Sequence, residues 1–192
     1  MSPRTSAQLQ LHKENKKAAI LEAALKVFAE NGFAEATIDK IAKEAGIAKV
    51  LLYTYYSGKD DLLQALIRLG MDKTLTYIST NSSGAIRTKK EFEKSLRAMV
   101  GYFLKETRFW RLYILLALQS KVSARFQDED KVFFEKYLAV YLDYFTKKKS
   151  SDPLAEARGV AAGLEGVRRE LMMAPEGYPL EGVLKMIVIK FA

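Results

Sequence analysis

The side chains best suited to bind an anion in this sequence lie close together between residues 49 and 59, and they are Lys49, Tyr53, Thr54, Tyr55 and Lys59. Tyrosine and threonine hydroxyls and lysine ammonium groups donate hydrogen bonds to phosphate oxygens, and a threonine can also reach a base edge. Val50 and Leu51 lie among them, and an aliphatic side chain can contact the thymine methyl group in the major groove. The segment therefore has the chemistry to bind duplex DNA. Burial of Val50 and Leu51 against the next helix is an equally good explanation of this segment alone.

Two short helices must position these side chains. Thr37 can cap the start of one helix with its hydroxyl, and Gly46 ends that helix. A second helix runs from about Ala48 to Tyr55, before a break at Ser57-Gly58. The residues expected to pack inward are Ile41, Ala42, Ala45, Ile47, Leu52 and Tyr56. This spacing is typical of a helix-turn-helix, whose second helix enters the major groove, although a glycine-joined helix pair also occurs in ordinary cores.

Helices flank this pair on both sides. Before it, Ile20, Ala24, Val27 and Phe28 form an apolar stripe that ends at Asn31-Gly32. We expect this helix to begin near Lys13, with residues 1–11 disordered or frayed. After the pair, a helix opens at the acidic Lys59-Asp60-Asp61 segment and continues to about Ile78.

The remaining sequence predicts further helices and no strands. Asn81-Ser82-Ser83-Gly84 is the clearest internal break. Beyond it we expect helices at about 89–106, 108–120, 129–148, 153–173 and 180–191. No sustained strand-like alternation and no solenoid repeat appear. The predicted fold class is therefore all-α.

Composition excludes several functions. The chain has no cysteine and one histidine, His12, so disulfides, transition-metal sites and histidine-dependent triads are poorly supported. Asp128-Glu129-Asp130 could hold a cation, but acids at a helix start are the simpler explanation. We expect no catalytic residues, no metal and no cofactor. The net charge of +8 favours an anionic partner, but residues 1–70 carry only +2 of it, so bulk charge does not locate the site.

The hydropathy pattern indicates a cytoplasmic protein. The longest uninterrupted apolar run is Leu112 to Leu118, seven residues, whereas a membrane-spanning helix needs about 20. The N-terminal residues contain no apolar core typical of a signal peptide. We therefore expect no membrane association.

Residues 20 to 67 resemble the N-terminal domain of the tetracycline-repressor (TetR) family. The matching elements are Ile20-Leu21-x-Ala23-Ala24-x-x-x-Phe28, Asn31-Gly32-Phe33, Thr37-Ile38-x-x-Ile41-Ala42, Ala45-Gly46-Ile47, Leu52-Tyr53-x-Tyr55-Tyr56 and Lys59-x-x-Leu62. The resemblance implies an all-α homodimer that binds palindromic operators, usually as a repressor released by a small ligand. It also implies a three-helix helix-turn-helix domain over residues 1–58, ordered from 13. A helical effector-binding and dimerisation domain would follow over 59–192.

The resemblance also assigns individual roles. It implies phosphate contacts for Thr37, Tyr53, Tyr55 and Lys59, and base-facing positions for Lys49, Val50, Leu51 and Thr54. Two residues depart from the family pattern. Ala48 stands where Ser or Thr often caps the recognition helix and touches phosphate, and Val50 stands where a small residue is common.

The C-terminal part offers an aromatic cluster and a candidate interface. The candidate ligand residues are Met99, Tyr102, Phe103, Trp110, Tyr113 and Tyr137, which suit an apolar or aromatic effector, although plain hydrophobic core is the alternative. The helix near 129–148 carries two apolar stripes, and the helix near 153–173 carries Gly159, Gly163 and Gly166. We interpret these two helices as the dimer interface; packing within one chain is the alternative.

The predicted function is a ligand-responsive, DNA-binding transcriptional regulator. A second hypothesis keeps the fold but makes the chain a DNA-binding or protein-binding module that is controlled by a protein partner. A third, a small helical enzyme, lacks candidate acids and bases.

Overall fold

A computed structural model describes residues 6–81 and 86–192, with side chains described for residues 7–78 and 86–192. Within these ranges it contains helices and no strand, which confirms the predicted all-α class. The helices are α1 (Ser6–Asn31), α2 (Ile38–Glu44), α3 (Lys49–Tyr53), α4 (Lys59–Asn81), α5 (Lys89–Lys105), α6 (Thr107–Ala117), α7 (Ser120–Arg125), α8 (Gln127–Lys147), α9 (Pro153–Met173) and α10 (Leu180–Phe191). None of these helices is long and apolar enough to cross a bilayer.

Two helix predictions were wrong. Helix α1 begins at Ser6 and not near Lys13, so residues 6–11 are helical. The physical reason is that this stretch contains good helix formers and no glycine or proline. The single helix expected at 108–120 is instead α6 followed by the short α7. Of the predicted break, Asn81 ends α4, whereas Ser82, Ser83 and Gly84 lie outside the described residues.

The chain forms two compact units. Unit 1 comprises Met1–Gly70 with Leu112–Arg125, and unit 2 comprises Met71–Arg111 with Phe126–Ala192. Helix α4 therefore contributes to both units. The functional boundary expected after Gly58 stays a prediction, because compactness alone does not define which residues bind DNA.

Unit 1 is built on an apolar core from α1, α2, α3 and α4. Its fully buried side chains include Ile20, Phe28, Ile41, Leu52, Leu62 and Leu66. The Gln119 amide links segments distant in sequence, because its Nε2 donates to the Phe28 carbonyl at 2.9 Å and its Oε1 accepts from the Phe33 N–H at 2.8 Å. The turn after α1 is thereby held in place by two hydrogen bonds.

Unit 2 is built around aromatic packing. Phe92 on α5 meets three rings of α8, with centroid distances of 6.1 Å to Tyr141, 5.0 Å to Tyr144 and 5.9 Å to Phe145. Helix α9 places Val160, Leu164 and Val167 in the same unit's core, and α10 adds Leu184 and Ile187. The wide apolar arc of α8 is therefore covered to a large extent within its own chain.

Candidate nucleic-acid interface

The turn between α2 and α3 follows from two local signals. Thr37 caps α2 in an extended conformation, and its hydroxyl oxygen accepts from the Lys40 N–H at 3.3 Å. Gly46 has a φ of 65°, a left-handed conformation that glycine adopts without strain. The chain reverses there, and the Ile47 N–H donates to the Ala42 carbonyl at 3.0 Å. These observations confirm the sequence interpretation of both residues.

Helix α3 is short and is anchored from one side. Leu52 is completely buried, and Tyr56, just after the helix, is also buried. Burial, with smaller contributions from the charges of Asp61 and Glu14, raises the pKa of Tyr56 to about 12. A helix of five residues is too short to be stable alone, so these two side chains hold α3 against unit 1.

The opposite face of α3 is open. Val50 is 77% exposed, Leu51 is 36% exposed and Tyr53 is 48% exposed. Lys49 and Thr54 are also exposed, as is Thr37 on the preceding helix cap, while Tyr55 and Lys59 are half-buried. Burial of Val50 and Leu51 against α4, the alternative explanation, is therefore not observed. All eight predicted DNA-contacting residues lie in unit 1.

Ala48 caps α3 without a side-chain hydrogen bond. Its backbone is extended, with φ −68° and ψ 140°, which is the conformation that a Ser or Thr cap adopts. At the other end, the Thr54 hydroxyl donates to the Leu51 carbonyl at 2.7 Å. The Thr54 oxygen keeps its capacity to accept, but its proton is used within the helix.

Two lysines of the site are already oriented by partners. Lys49 Nζ lies 3.0 Å from a carboxylate oxygen of Asp39, and the hydrogen bond and charge of Asp39 raise the pKa of Lys49. Lys59 Nζ donates to the Ala34 carbonyl at 3.0 Å and lies 4.7 Å from the Phe33 ring centroid. Sequence analysis missed Asp39, whose partnership with a residue ten positions away has no local signal.

The acids at the start of α4 are also engaged. Asp60 pairs with Arg125 of α7. Asp61 accepts from the Ser57 N–H at 2.8 Å and from the Ser57 hydroxyl at 3.2 Å. Both carboxylates therefore already have partners within the chain. Arg125 is a further neighbour of the site that sequence analysis did not identify. Within residues 6–81 and 86–192, no group of three or more potential metal ligands occurs.

The predicted ligand residues are divided between the units. Tyr102, Phe103 and Trp110 form one aromatic group in unit 2, with centroid distances of 5.3 to 5.6 Å. Met99 and Tyr137 are buried in the same unit. Tyr77, which stacks on Tyr102 at 4.2 Å, was not among the predicted ligand residues.

Tyr113 is packed within unit 1. It belongs to unit 1, where its hydroxyl donates to the Ile67 carbonyl at 3.2 Å. A Cβ atom added at Gly70 would overlap the Tyr113 ring, so this glycine is the position that admits the tyrosine. Its ligand role stays a prediction, while its packing role is visible.

The family model for bacterial regulatory proteins of the tetR family matches residues 20–66. Over 96 residues the chain is 30% identical to the uncharacterized HTH-type transcriptional regulator YuxN of Bacillus subtilis, an alignment that covers 50% of this chain and 33% of that one. It is 41% identical over 56 residues to a fatty acid metabolism regulator protein of the same organism, covering 29% of each chain. The chain thus spans about a third of the length of these relatives.

The fold has close structural counterparts. The transcriptional regulator FadR from Bacillus subtilis, solved in complex with stearoyl-CoA, superposes with a TM-score of 0.71 at 19% identity, covering 90% of this chain and 97% of that one. A likeness at this identity establishes the fold. The sequence match to the tetR family model covers residues 20–66, which include the helix-turn-helix.

Proposed function

We propose that this chain is a sequence-specific DNA-binding transcriptional regulator, a repressor that a small ligand releases from a palindromic operator. The observation that carries the proposal is the open face of α3, where Val50 and Leu51 are exposed on a helix anchored by the buried Leu52. Adjacent exposed aliphatics on a helix-turn-helix recognition helix match the apolar surface of thymine methyl groups. Such a regulator acts in the cytoplasm, where its operator is accessible.

The polar residues around this face divide by the contacts they can make. The Tyr53 hydroxyl, the half-buried Tyr55 and the Lys59 ammonium group suit phosphate oxygens, which set the orientation of the helix. The Thr37 hydroxyl accepts from a backbone N–H, so its proton is available for a phosphate. Lys49, exchanging Asp39 for a guanine edge, would complete the base contacts.

Tyr53→Phe and Leu51→Ala should have different effects on DNA binding. Tyr53→Phe removes a hydrogen bond to a charged phosphate and should weaken binding to every duplex, by about tenfold. Leu51→Ala should relax the preference at one base pair, by about 1 kcal/mol. Fluorescence anisotropy with a duplex selected from a random pool, and with its single-base variants, measures both effects. An unchanged base preference in Leu51→Ala would contradict the assigned role of that residue.

Position 48 offers a test of where the start of α3 lies. Ser and Asp both cap helices, so Ala48→Ser and Ala48→Asp should each stabilise the fold by about 1 kcal/mol in urea unfolding. Ala48→Ser should also tighten duplex binding through a phosphate contact, whereas Ala48→Asp should weaken it through charge repulsion. Equal duplex affinity of the two variants would mean that the start of α3 does not face DNA.

We further propose that the chain is a homodimer, and that a second copy packs on α9 and α10. The glycine-lined face of α9, expected to meet a partner, is mostly used within the chain, because Gly159 lies against Phe191 and Gly163 against Ile187. What stays exposed is a stripe of small and apolar residues on both helices: Ala155, Ala162, Gly166 and Met173 on α9, and Gly182, Met186 and Ile189 on α10. Two such helix pairs related by a twofold axis would form a four-helix bundle.

Ile189→Glu and Val132→Glu separate this interface from the one expected at α8. Ile189 on α10 is 66% exposed and Val132 on α8 is 52% exposed, so neither substitution disturbs a core. Ile189→Glu should weaken dimerisation by at least about tenfold, because the carboxylate would be buried unpaired. Val132→Glu should leave the dimer intact. Sedimentation equilibrium checks both variants, and a monomer produced by Val132→Glu alone would restore the α8 interface.

For the effector, we propose an apolar or aromatic molecule with a hydrogen-bond acceptor, bound among Met99, Tyr102, Phe103, Trp110 and Tyr137. The buried hydroxyls of Tyr102 and Tyr137 have no hydrogen-bond partner among the described residues. Burial raises the pKa of both, so they stay protonated donors. The structure of the FadR neighbour with stearoyl-CoA supports control by a small ligand and not by a protein partner.

Two stacked tyrosines test whether such a hydroxyl is unsatisfied. The Tyr77 hydroxyl donates to the Ala98 carbonyl at 2.7 Å, whereas the Tyr102 hydroxyl has no hydrogen-bond partner within the described ranges. Tyr77→Phe should therefore reduce the free energy of unfolding by about 1 kcal/mol. Tyr102→Phe should leave it unchanged or raise it, in urea unfolding of the ligand-free protein. An equal loss of unfolding free energy in both variants would show that the Tyr102 hydroxyl already has a hydrogen-bond partner within the protein and is not available to an effector.

A further inference from the structure

We propose that a groove in unit 2 is a binding site for a small organic phosphate. The groove has a volume of about 440 Å³, and its lining includes Arg87, Lys89, Lys147 and Lys148 together with Ile86 and Tyr144. It brings the residues before and at the start of α5 next to the end of α8. This proposal does not depend on the DNA-binding function of unit 1.

Within the part of the chain that the structure describes, three of the four cations have no acidic side chain bonded to them, and two of these have no side-chain hydrogen bond at all. Lys147 pairs with Asp143 at 2.7 Å, and Lys148 Nζ donates to the Phe191 carbonyl at 3.3 Å. Among the described residues, Arg87 and Lys89 have no side-chain hydrogen bond or ion pair, although the pKa of Glu91, lowered mainly by backbone hydrogen bonds from Arg87 and Thr88, is lowered further by the charge of Arg87. The nearby carboxylate of Glu91 accepts from the backbone N–H groups of Arg87 and Thr88, so its Oε2 is used in the cap of α5.

The helices explain Lys147 but not Arg87 and Lys89. Lys147 lies in the last turn of α8, where a cation interacts favourably with the helix dipole. Arg87 precedes the Thr88 cap and Lys89 is the first residue of α5, so both lie at the positive end of a helix dipole. Cations there are unfavourable for the helix, and an anion in the groove would offset the repulsion.

The remaining lining of the groove is partly apolar and comes from Ile86, Tyr144 and Ala192. Ile86 is buried, and Tyr144 is only 4% exposed, with its ring stacked on Phe92 at 5.0 Å. The Tyr144 hydroxyl has no hydrogen-bond partner among the described residues. Burial, with a contribution from the charge of Glu156, raises its pKa and keeps it a donor. The groove is lined by one guanidinium, three ammonium groups and a phenol, and among the residues described only the Lys147 ammonium is paired with a carboxylate, so the site matches a phosphate better than a monovalent carboxylate.

The volume favours a small molecule. Small-molecule sites usually enclose about 300 to 1,000 Å³, and this groove falls within that range. Phenyl phosphate is a suitable probe, because it combines a dianion with a ring, and phenol and inorganic phosphate each provide one of these parts.

Isothermal titration of the full chain with phenyl phosphate tests the proposal. The double variant Arg87→Gln, Lys89→Gln should bind phenyl phosphate at least about tenfold more weakly than the unmodified chain. The matched control is Lys90→Gln, Lys94→Gln, which removes the same charge near the start of α5 at exposed positions that do not line the groove. It should change the dissociation constant less than about twofold. Both variants leave the Thr88–Glu91 cap intact, and thermal unfolding checks that they fold.

Several outcomes would overturn the proposal. They are equal weakening in the two double variants, phenol binding as tightly as phenyl phosphate, and no binding of phenyl phosphate by the unmodified chain at millimolar concentration. If Arg87→Gln, Lys89→Gln weakens duplex DNA binding and leaves phenyl phosphate binding unchanged, the groove is a DNA contact and the proposal is wrong. Phenyl phosphate binding that is lost only in the groove variant supports it, whether or not unit 1 binds DNA.

Discussion

The burial of Leu52 is the contact on which the proposed DNA-binding surface depends. A five-residue helix does not form by itself in water, because the cost of fixing its first turn exceeds what so few hydrogen bonds return. Leu52 and Tyr56 attach α3 to unit 1, and the left-handed Gly46 sets the direction in which α3 leaves α2. Once that side is attached, Val50 and Leu51 must face outward, since residues one and two positions away point to other faces of the helix. One face of α3 therefore packs against unit 1, and the other face is the one proposed to contact DNA.

Local pairing, and not net charge, shapes the electrostatics around that helix. Unit 1 contains several acids that would repel a phosphate backbone, but those nearest the site are occupied. Asp60 pairs with Arg125, Asp61 caps the segment before α4, and Asp39 holds Lys49. The Asp39–Lys49 pair is exposed and therefore contributes little to stability. Under the proposed function, Lys49 can therefore exchange the Asp39 carboxylate for a base edge at low cost.

The fold class and the site could be predicted because their signals are local. A helix cap is determined by Thr37 and a turn by Gly46. The inward face of α3 is determined by the buried positions around Leu52, and each of these signals lies within a few residues. The contacts that the sequence did not indicate depend on neighbours far apart in the sequence. The glycines of α9 receive side chains of α10, and Arg125 meets an acid 65 positions earlier. The start of α1 was misplaced for a different reason, since polar residues without a breaker can continue a helix.

The groove in unit 2 shows the same limit of sequence analysis. The segments 86–89 and 144–148 each contain two or more basic residues, as many helix ends do, and only the fold brings the two segments together. Their charges add in the folded chain, whereas in the sequence each group looks like a solvated helix end. Sequence patterns therefore identify single elements well, and sites assembled from two elements must be found in three dimensions.

Photocrosslinking from position 50 tests most directly whether the open face of α3 lies in a DNA groove. A photoreactive phenylalanine analogue would replace Val50 in one variant and Leu118, which is also largely exposed, in another. We expect the position-50 variant to crosslink to a base of a duplex selected for binding, with much less crosslinking from position 118. Equal yields from the two positions, or crosslinks from position 118 alone, would contradict the account.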